Sequence, residues 1–365
     1  MNKMIVSNLM YRPLRSFISA LAVAIEVVLI LLIVGFSLGT LNDSLKRAMG
    51  TGADIMVKPP GSSNFAAFSS APVSVKLADI LREQPHVVAV APVVVQTTNK
   101  LELLNGIDLK DWEALGGPMR YLAGGPFRGP DDMIVDDYYA TSNKVHVGDT
   151  VTVLNHKFRI CGIVPQGRGA RVYLPIGTLQ DLTGSEGKAT MFYVKLDDPK
   201  DAGLVAEQLK AIHGMEDYNI VSMNEYLSIM SANNIPMLSV FIDIVIGISL
   251  VIGFLVIFQS MYTAVMERTR EIGILKSLGA SKFFIVRVIL RETLLLAAAG
   301  VIAGVIISFV TAYAIHYKMP TAQVEFNVRW VIETTILAIV GSMIGALYPA
   351  LKAAQKDPID ALAYE

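Results

Sequence analysis

The residues best placed to do work in this sequence form one charged stretch, Glu267-Arg268-Thr269-Arg270-Glu271-Ile272-Gly273-Ile274-Leu275-Lys276-Ser277-Leu278-Gly279-Ala280-Ser281. It lies between two apolar runs, Met237–Met261 and Val288–Ile315. Each run is long enough to cross a bilayer as a helix, which takes about 20 apolar residues. The stretch is therefore a short charged turn at one membrane face. Arg268, Arg270, Lys276, Lys282 and Arg287 give it the excess of positive charge that marks a cytoplasmic loop. Gly279 is predicted to end a helix and Ser281 to cap the next one. Charged and apolar side chains do not separate around a wheel of 3.6 residues per turn. On residue types alone, the stretch reads as a solvated loop that holds the topology by its charge.

Three further carboxylates fall in or near apolar runs: Glu26, Asp243 and Glu333. Glu26 lies inside Phe17–Leu41, and a carboxyl group at membrane depth faces the bundle interior or a partner. Two readings of it stay open. It lines a dimer interface or a pathway, or it is a protonated or hydrogen-bonded structural residue. Asp243 and Glu333 sit near the outer ends of their runs, within reach of water.

Metal chemistry finds no support. His146, His156 and His213 share no ligand spacing and read as surface or strand-end residues. Asp131-Asp132 and Asp136-Asp137 read as a solvated acidic cluster without the ligand order of a calcium loop. Cys161 is the one cysteine, so neither an intramolecular disulfide nor a cysteine-based metal site is available. It reads as a small buried strand residue. No Gly-x-x-x-x-Gly-Lys-Ser/Thr occurs, so the backbone cradle for ATP phosphates is missing. A net charge of −1 argues against a nucleic-acid partner.

The elements that must position these residues follow from composition. Hydrophobic residues make up 53% and charged residues 17%, with mean hydropathy +0.50. Soluble domains carry about 25% charged residues. The expectation is an α-helical membrane protein with four transmembrane helices and one large α+β extracytoplasmic domain between helices one and two. Transmembrane helices are expected over residues 16–41, 237–262, 285–315 and 330–351, with the extracytoplasmic domain over 42–236. The loop 263–284 and the tail 352–365 are cytoplasmic, and 316–329 is a short outer loop. Residues 1–15 are expected as a helix in the cytoplasmic interface, broken at Pro13, and the first span as a retained signal anchor. Gly300 with Gly304, and Gly341 with Gly345, have the small-residue spacing that permits close helix approach. Trp330 is placed as an interfacial anchor.

In the outer block, a turn and a short strand are expected over 52–58, and strands at 87–97 (interrupted at Pro92), 101–107, 150–153, 157–164, 171–175, 192–196 and 219–222. Helices are expected at 76–84, 108–115, 176–182 and 202–213. Asn64–Pro72 reads as a loop, and Gly167-Arg168-Gly169 as a tight, flexible turn. The stretch Tyr226–Asn234 is expected to lead as a helix through Pro236 into the second span.

Three groups of residues carry a family resemblance. They are Arg268-x-x-Glu271-Ile272-Gly273 with Lys276-x-x-Gly279-Ala280-Ser281, the tail Tyr348-Pro349-Ala350-x-x-Ala353-Ala354-x-x-Asp357-Pro358-x-x-Ala361-Leu362, and the outer segments Val147-Gly148-Asp149-Thr150-Val151 and Val172-Tyr173-Leu174-Pro175. The chain resembles MacB/FtsX-type ABC transporter permeases. The resemblance implies that Glu267, Arg268, Arg270, Glu271, Ile272, Gly273, Lys276, Leu278 and Gly279 belong to a coupling helix that docks on a separate ABC ATPase subunit. It implies a porter-like outer module with a β-rich insert, a second permease copy (a homodimer), and room for a periplasmic adaptor or outer partner. ATP and Mg would sit on the partner ATPase, and no cofactor on this chain, which would be non-catalytic. The implied location is the bacterial inner membrane, in contact with lipid, with both termini cytoplasmic. The implied function is mechanotransmission for export or extraction of a substrate. The alternative is an ATP-driven regulator of an outer partner such as a cell-wall hydrolase. An ATP-independent carrier ranks last, because it would need paired intramembrane charges or broken helices.

Overall fold

The computed structural model describes residues 13–62, 72–98, 102–230 and 234–356. The first helix, α1, runs Pro13–Met49. The sheet domain follows with β1 (Ile55–Lys58), β2 (Val73–Ser74), α2 (Leu77–Arg82), β3 (Val87–Thr97), β4 (Leu103–Ile107), α3 (Leu109–Gly116), β5 (Ala123–Gly124), β6 (Asp132–Asp136) and α4 (Asp137–Asn143). It continues with β7 (Thr150–Val153), β8 (His156–Val164), β9 (Val172–Pro175), α5 (Ile176–Thr183), β10 (Lys188–Ala189), β11 (Met191–Leu196), α6 (Ala202–Lys210), β12 (Asn219–Ser222) and α7 (Met223–Ile229). Then come α8 (Pro236–Glu267), α9 (Thr269–Ser277), α10 (Lys282–Lys318) and α11 (Val328–Gln355). Two compact units emerge. One gathers the described residues up to Gly39 with Pro236–Tyr317 and those from Val324 onward; the other holds Thr40–Ile235 and Lys318–Gln323.

In the helical unit, α1, α8, α10 and α11 are each long and apolar enough to cross a membrane. Their seams are set by glycine. A methyl group at Gly300 would sit 2.6 Å from the Ala20 carbonyl oxygen, and one at Gly304 2.8 Å from that of Ala24. So α10 lies backbone-close along α1. At Gly345 the added carbon would stand 2.9 Å from the Phe254 carbonyl oxygen, and at Gly341 2.8 Å from Leu250 Cδ1. This holds α11 against α8. In lipid no hydrophobic force drives helices together, so close packing of small residues supplies the contact energy.

The sheet domain carries a ten-stranded mixed sheet among the described residues, in the order β12-β1-β11-β3-β4-β9-β6-β8-β5, with β7 on β8. The β-rich middle joins the rest through the parallel pair β4–β9. One face buries Trp112, Tyr173 and Tyr193, with Trp112 centroids 5.8 and 5.7 Å from the two tyrosines. The other face buries Ile55, Val57, Phe192 and Val194 under α2 and α6.

Four expectations are corrected. First, β3 is continuous through Pro92. The β4 ladder begins at Val93, so Pro92 has β11 as its one ladder neighbour and its missing N–H interrupts nothing. Second, the acidic cluster is not all solvated: Asp132 and Asp136 are buried in β6. Arg159 binds Asp132 at 2.7 Å. Arg171 lies 3.5 Å from Asp136 and 2.8 Å from Asp43. Burial still pushes the Asp136 carboxyl up to about 6, against the Tyr139 N–H and Arg171, which favour its charge. Third, the Gly167–Gly169 turn is pinned: the Gly169 N–H donates to the Arg47 carbonyl at 2.7 Å, and Arg168 donates to the Gly117 carbonyl at 2.8 Å. Fourth, no single helix leads into the second span. α7 ends at Ile229 and α8 begins at Pro236, where a proline without an N–H suits the first helical turn. Residues 1–12 of the helix expected at 1–15, most of the Asn64–Pro72 loop and the tail motif beyond Lys356 lie outside the described residues.

Replacing Gly304 with leucine should force α10 off α1, at a cost of about 1–3 kcal/mol for overpacking. The thermal midpoint of the detergent-solubilised protein should fall. Gly247 on α8 has open space above it, so Gly247→Leu should leave the midpoint unchanged.

Candidate coupling site

α9 is the short helix that joins α8 to α10. Its end is set locally. Gly279 takes φ +93°, the Ala280 N–H donates to the Leu275 carbonyl and the Gly279 N–H to that of Lys276, each at 3.0 Å. This is a Schellman arrangement that only glycine enters without strain. Ser281 Oγ then accepts from the Phe284 N–H at 3.2 Å and starts α10.

The two faces of α9 differ in what they touch rather than in polarity. Inward lie Thr269 and Gly273, both buried, with Ile272 and Leu275 packed on the helical core. Outward lie Arg270, Glu271, Ile274 and Leu278, the last two 44% and 80% exposed. Phe283, 67% exposed, continues this surface, with the Arg287 guanidinium 4.5 Å above its ring. The missing wheel pattern thus has a structural cause: both faces mix charge with apolar bulk.

The charged residues flanking α9 tie it to every long helix. Arg268 points inward, to Glu292 of α10 at 3.2 Å. The two side chains are 15% and 6% exposed. Arg15 of α1 binds Glu267 of α8 at 3.0 Å and reaches Glu292 at 3.9 Å. Lys276 Nζ donates to the carbonyls of Ala354, at 3.0 Å, and Lys356, at the C-terminus of α11. That end carries unsatisfied carbonyls and the negative end of the helix dipole, so a lysine is favoured there. Beside this knot Ser19 and Ser260 join α1 to α8 through their hydroxyls. A cleft of about 60 Å³, lined by Arg268, Glu271, Ile272, Leu275, Ile289 and Glu292 among others, borders α9.

Of the residues singled out from sequence, Glu267, Arg268 and Lys276 enter this knot, while Arg270, Glu271 and Leu278 stay on the outer surface. The three intramembrane carboxylates are not brought together. Glu26 is 3% exposed and faces Gly253 of α8, where any side chain would collide with its carboxylate. Its Oε1 has no hydrogen-bond partner among the described residues. Asp243 is exposed, and Glu333 pairs with Arg329 at 2.7 Å on the surface. Sequence reasoning missed Arg15 and Glu292 as site residues. The signal for Glu292 was available: a lone carboxylate beginning an apolar span needs a cation.

The chain spans two families. Residues 16–212 match the MacB-like periplasmic core domain, and residues 244–358 match the FtsX-like permease C-terminal domain. It belongs to the MacB/FtsX-type ABC transporter permeases. An uncharacterized ABC transporter permease of Methanocaldococcus jannaschii is 28% identical over 60% of this chain and 58% of that protein. The macrolide export ATP-binding/permease protein MacB of Escherichia coli (strain K12) is 26% identical over 60% of this chain and 35% of that protein. The chain thus spans well under two thirds of these relatives. Among solved structures, the periplasmic region of MacB from Actinobacillus actinomycetemcomitans aligns at a TM-score of 0.39 and 19% identity, over 50% of this chain and 94% of that one.

Removing Glu292 takes the carboxylate away from Arg268 and Arg15 in a site shielded from water. Glu292→Ala should cost about 3–5 kcal/mol, the usual penalty for breaking a buried pair from one side. The double change Arg268→Met, Glu292→Leu should cost less than Glu292→Ala alone. Thermal unfolding of the three proteins in detergent checks the order.

Proposed function

We propose that this permease couples ATP hydrolysis on a separate ABC ATPase subunit to conformational change in its sheet domain. The observation that carries the reading is the geometry of α9. Its outer surface offers Arg270, Glu271, Ile274 and Leu278 to a partner, while Lys276 and the neighbouring Arg268 bind it to the ends of α10 and α11. A push on the outer surface is then shared by all four long helices. α1 continues without a break to Met49, past the point where its residues join the sheet domain at Thr40. It is the path by which displacement leaves the bundle.

In this reading the chain lies in the bacterial inner membrane with both termini and α9 in the cytoplasm, and the sheet domain outside. Two copies form a homodimer carrying two ATPases, with ATP and Mg bound on those partners and the chemistry done there. A periplasmic adaptor or outer partner receives the motion. ATP shifts the equilibrium because the ATPase dimer binds it differently in open and closed states, and the permease only relays that difference. The E. coli relative is named for macrolide export, which favours an apolar or amphiphilic substrate. The second reading, regulation of an outer hydrolase without transport, uses the same α9 geometry and differs in what the sheet domain meets.

The test is co-purification of the tagged chain from its native membrane. A stoichiometric ATPase should come down with it. Glu271→Lys and Leu278→Glu should each lose that subunit while the variants still insert and remain monodisperse. ATPase recovery undiminished in both variants would remove α9 as the docking element.

A further inference from the structure

The sheet domain contains a cleft of about 550 Å³ that the reading above does not use, at the edge where β5 and β7 both pair with β8. Its floor is backbone. Gly125 and Gly148 have open space above them, and Gly124 and Gly148 hold φ of +73° and +99°, which side chains rarely adopt. Val147 gives it one exposed apolar side chain, Ile160 contributes backbone while its side chain is buried in the core on the other face, and Arg128, Arg159 and Cys161 complete the lining.

The two arginines are organised by one buried carboxylate. Asp132 Oδ1 accepts from Arg159 Nε at 3.1 Å and Nη2 at 2.7 Å. Its Oδ2 accepts from the backbone N–H of Arg128 at 2.6 Å and of Gly129 at 3.0 Å. Burial works against the charge on Asp132, yet these donors hold its carboxyl below the usual range. Both oxygens are therefore spent. Asp131, next along the chain, is engaged by His156 at 2.8 Å. The Arg128 guanidinium is exposed and has no carboxylate partner among the described residues, and Arg159 keeps Nη1 for another acceptor.

We infer that this cleft binds a small ligand bearing an oxyanion, a carboxylate or a phosphate monoester. Guanidinium groups recognise both through paired charge-assisted hydrogen bonds. The cavity proper, about 250 Å³, suits a ligand smaller than the usual drug-sized occupant. The inference is independent of the α9 reading.

Cys161 makes the test site-specific, because it is the chain's one cysteine and lines the cleft. Burial first, then the charge of Asp132, pushes its thiol up to about 11, so alkylation at pH 9 is slow enough to follow. The full chain in detergent is treated with iodoacetamide, a neutral reagent, alone and with hexanoate, hexyl phosphate or hexanol at equal ionic strength. An anion present at twice its Kd should slow alkylation about threefold, saturably, and hexanol should not. Protection by one anion alone assigns that headgroup; protection by both assigns the shared oxyanion. Arg128→Glu should abolish protection, judged against that variant's own rate without anion, while leaving the thermal midpoint unchanged, and Arg128→Lys should retain part of it. No protection by either anion, equal protection by hexanol, or protection that survives Arg128→Glu would overturn the site.

Discussion

The structure of the helical unit turns on one buried charge pair. Glu292 begins the apolar part of α10, a place where an unpaired carboxylate would be costly. Arg268 neutralises it from the α8–α9 junction at 3.2 Å, and Arg15 approaches it from α1 at 3.9 Å while holding Glu267 at 3.0 Å. Because the pair is shielded from water, none of these groups can move far alone. The position of α9 is therefore fixed relative to α1, α8 and α10 by electrostatics, and relative to α11 by Lys276 on its last carbonyls.

Farther along the bundle, glycine takes over from charge. Gly300 and Gly304 let the backbone of α10 meet that of α1, Gly345 does the same for α11 and α8, and Gly341 makes room for the Leu250 side chain. The bundle is thus held by ion pairs at one end and by backbone proximity along its length. Glu26, buried against Gly253 with one oxygen unmatched among the described residues, is an exception to this economy. The sheet domain has its own charged knot, in which Arg171 joins Asp43 of α1, Asp136 of β6 and the Thr321 carbonyl.

What could be read in the sequence was what depends on neighbours in the chain. Hydropathy marks four spans because length and apolar composition are local. Gly279 and Ser281 announce a helix end and a helix start because capping needs only the adjacent turn. Most strands carry β-branched runs and were legible for the same reason. What escaped depends on distant partners. Arg15 and Glu267 are separated by 252 positions, and nothing near either names the other. Asp132 and Asp136 look like surface acids until β8 and the Arg171 segment bring their arginines. Pro92 looks like a strand break until the β4 ladder is seen to start one residue later. Arg268 and Glu271 look equivalent in the motif and border the same cleft, yet Arg268 is drawn to Glu292 while Glu271 stays exposed.

The most direct measurement of the account is cross-linking from the outer surface of α9. With Cys161 changed to serine, Leu278→Cys places a single thiol there, and a short thiol-to-amine cross-linker is applied to native membranes. One dominant adduct, with an ABC ATPase subunit, should form, and its yield should change when ATP is added. An intact, working complex in which position 278 never links to the ATPase, with or without ATP, would contradict the docking role of α9.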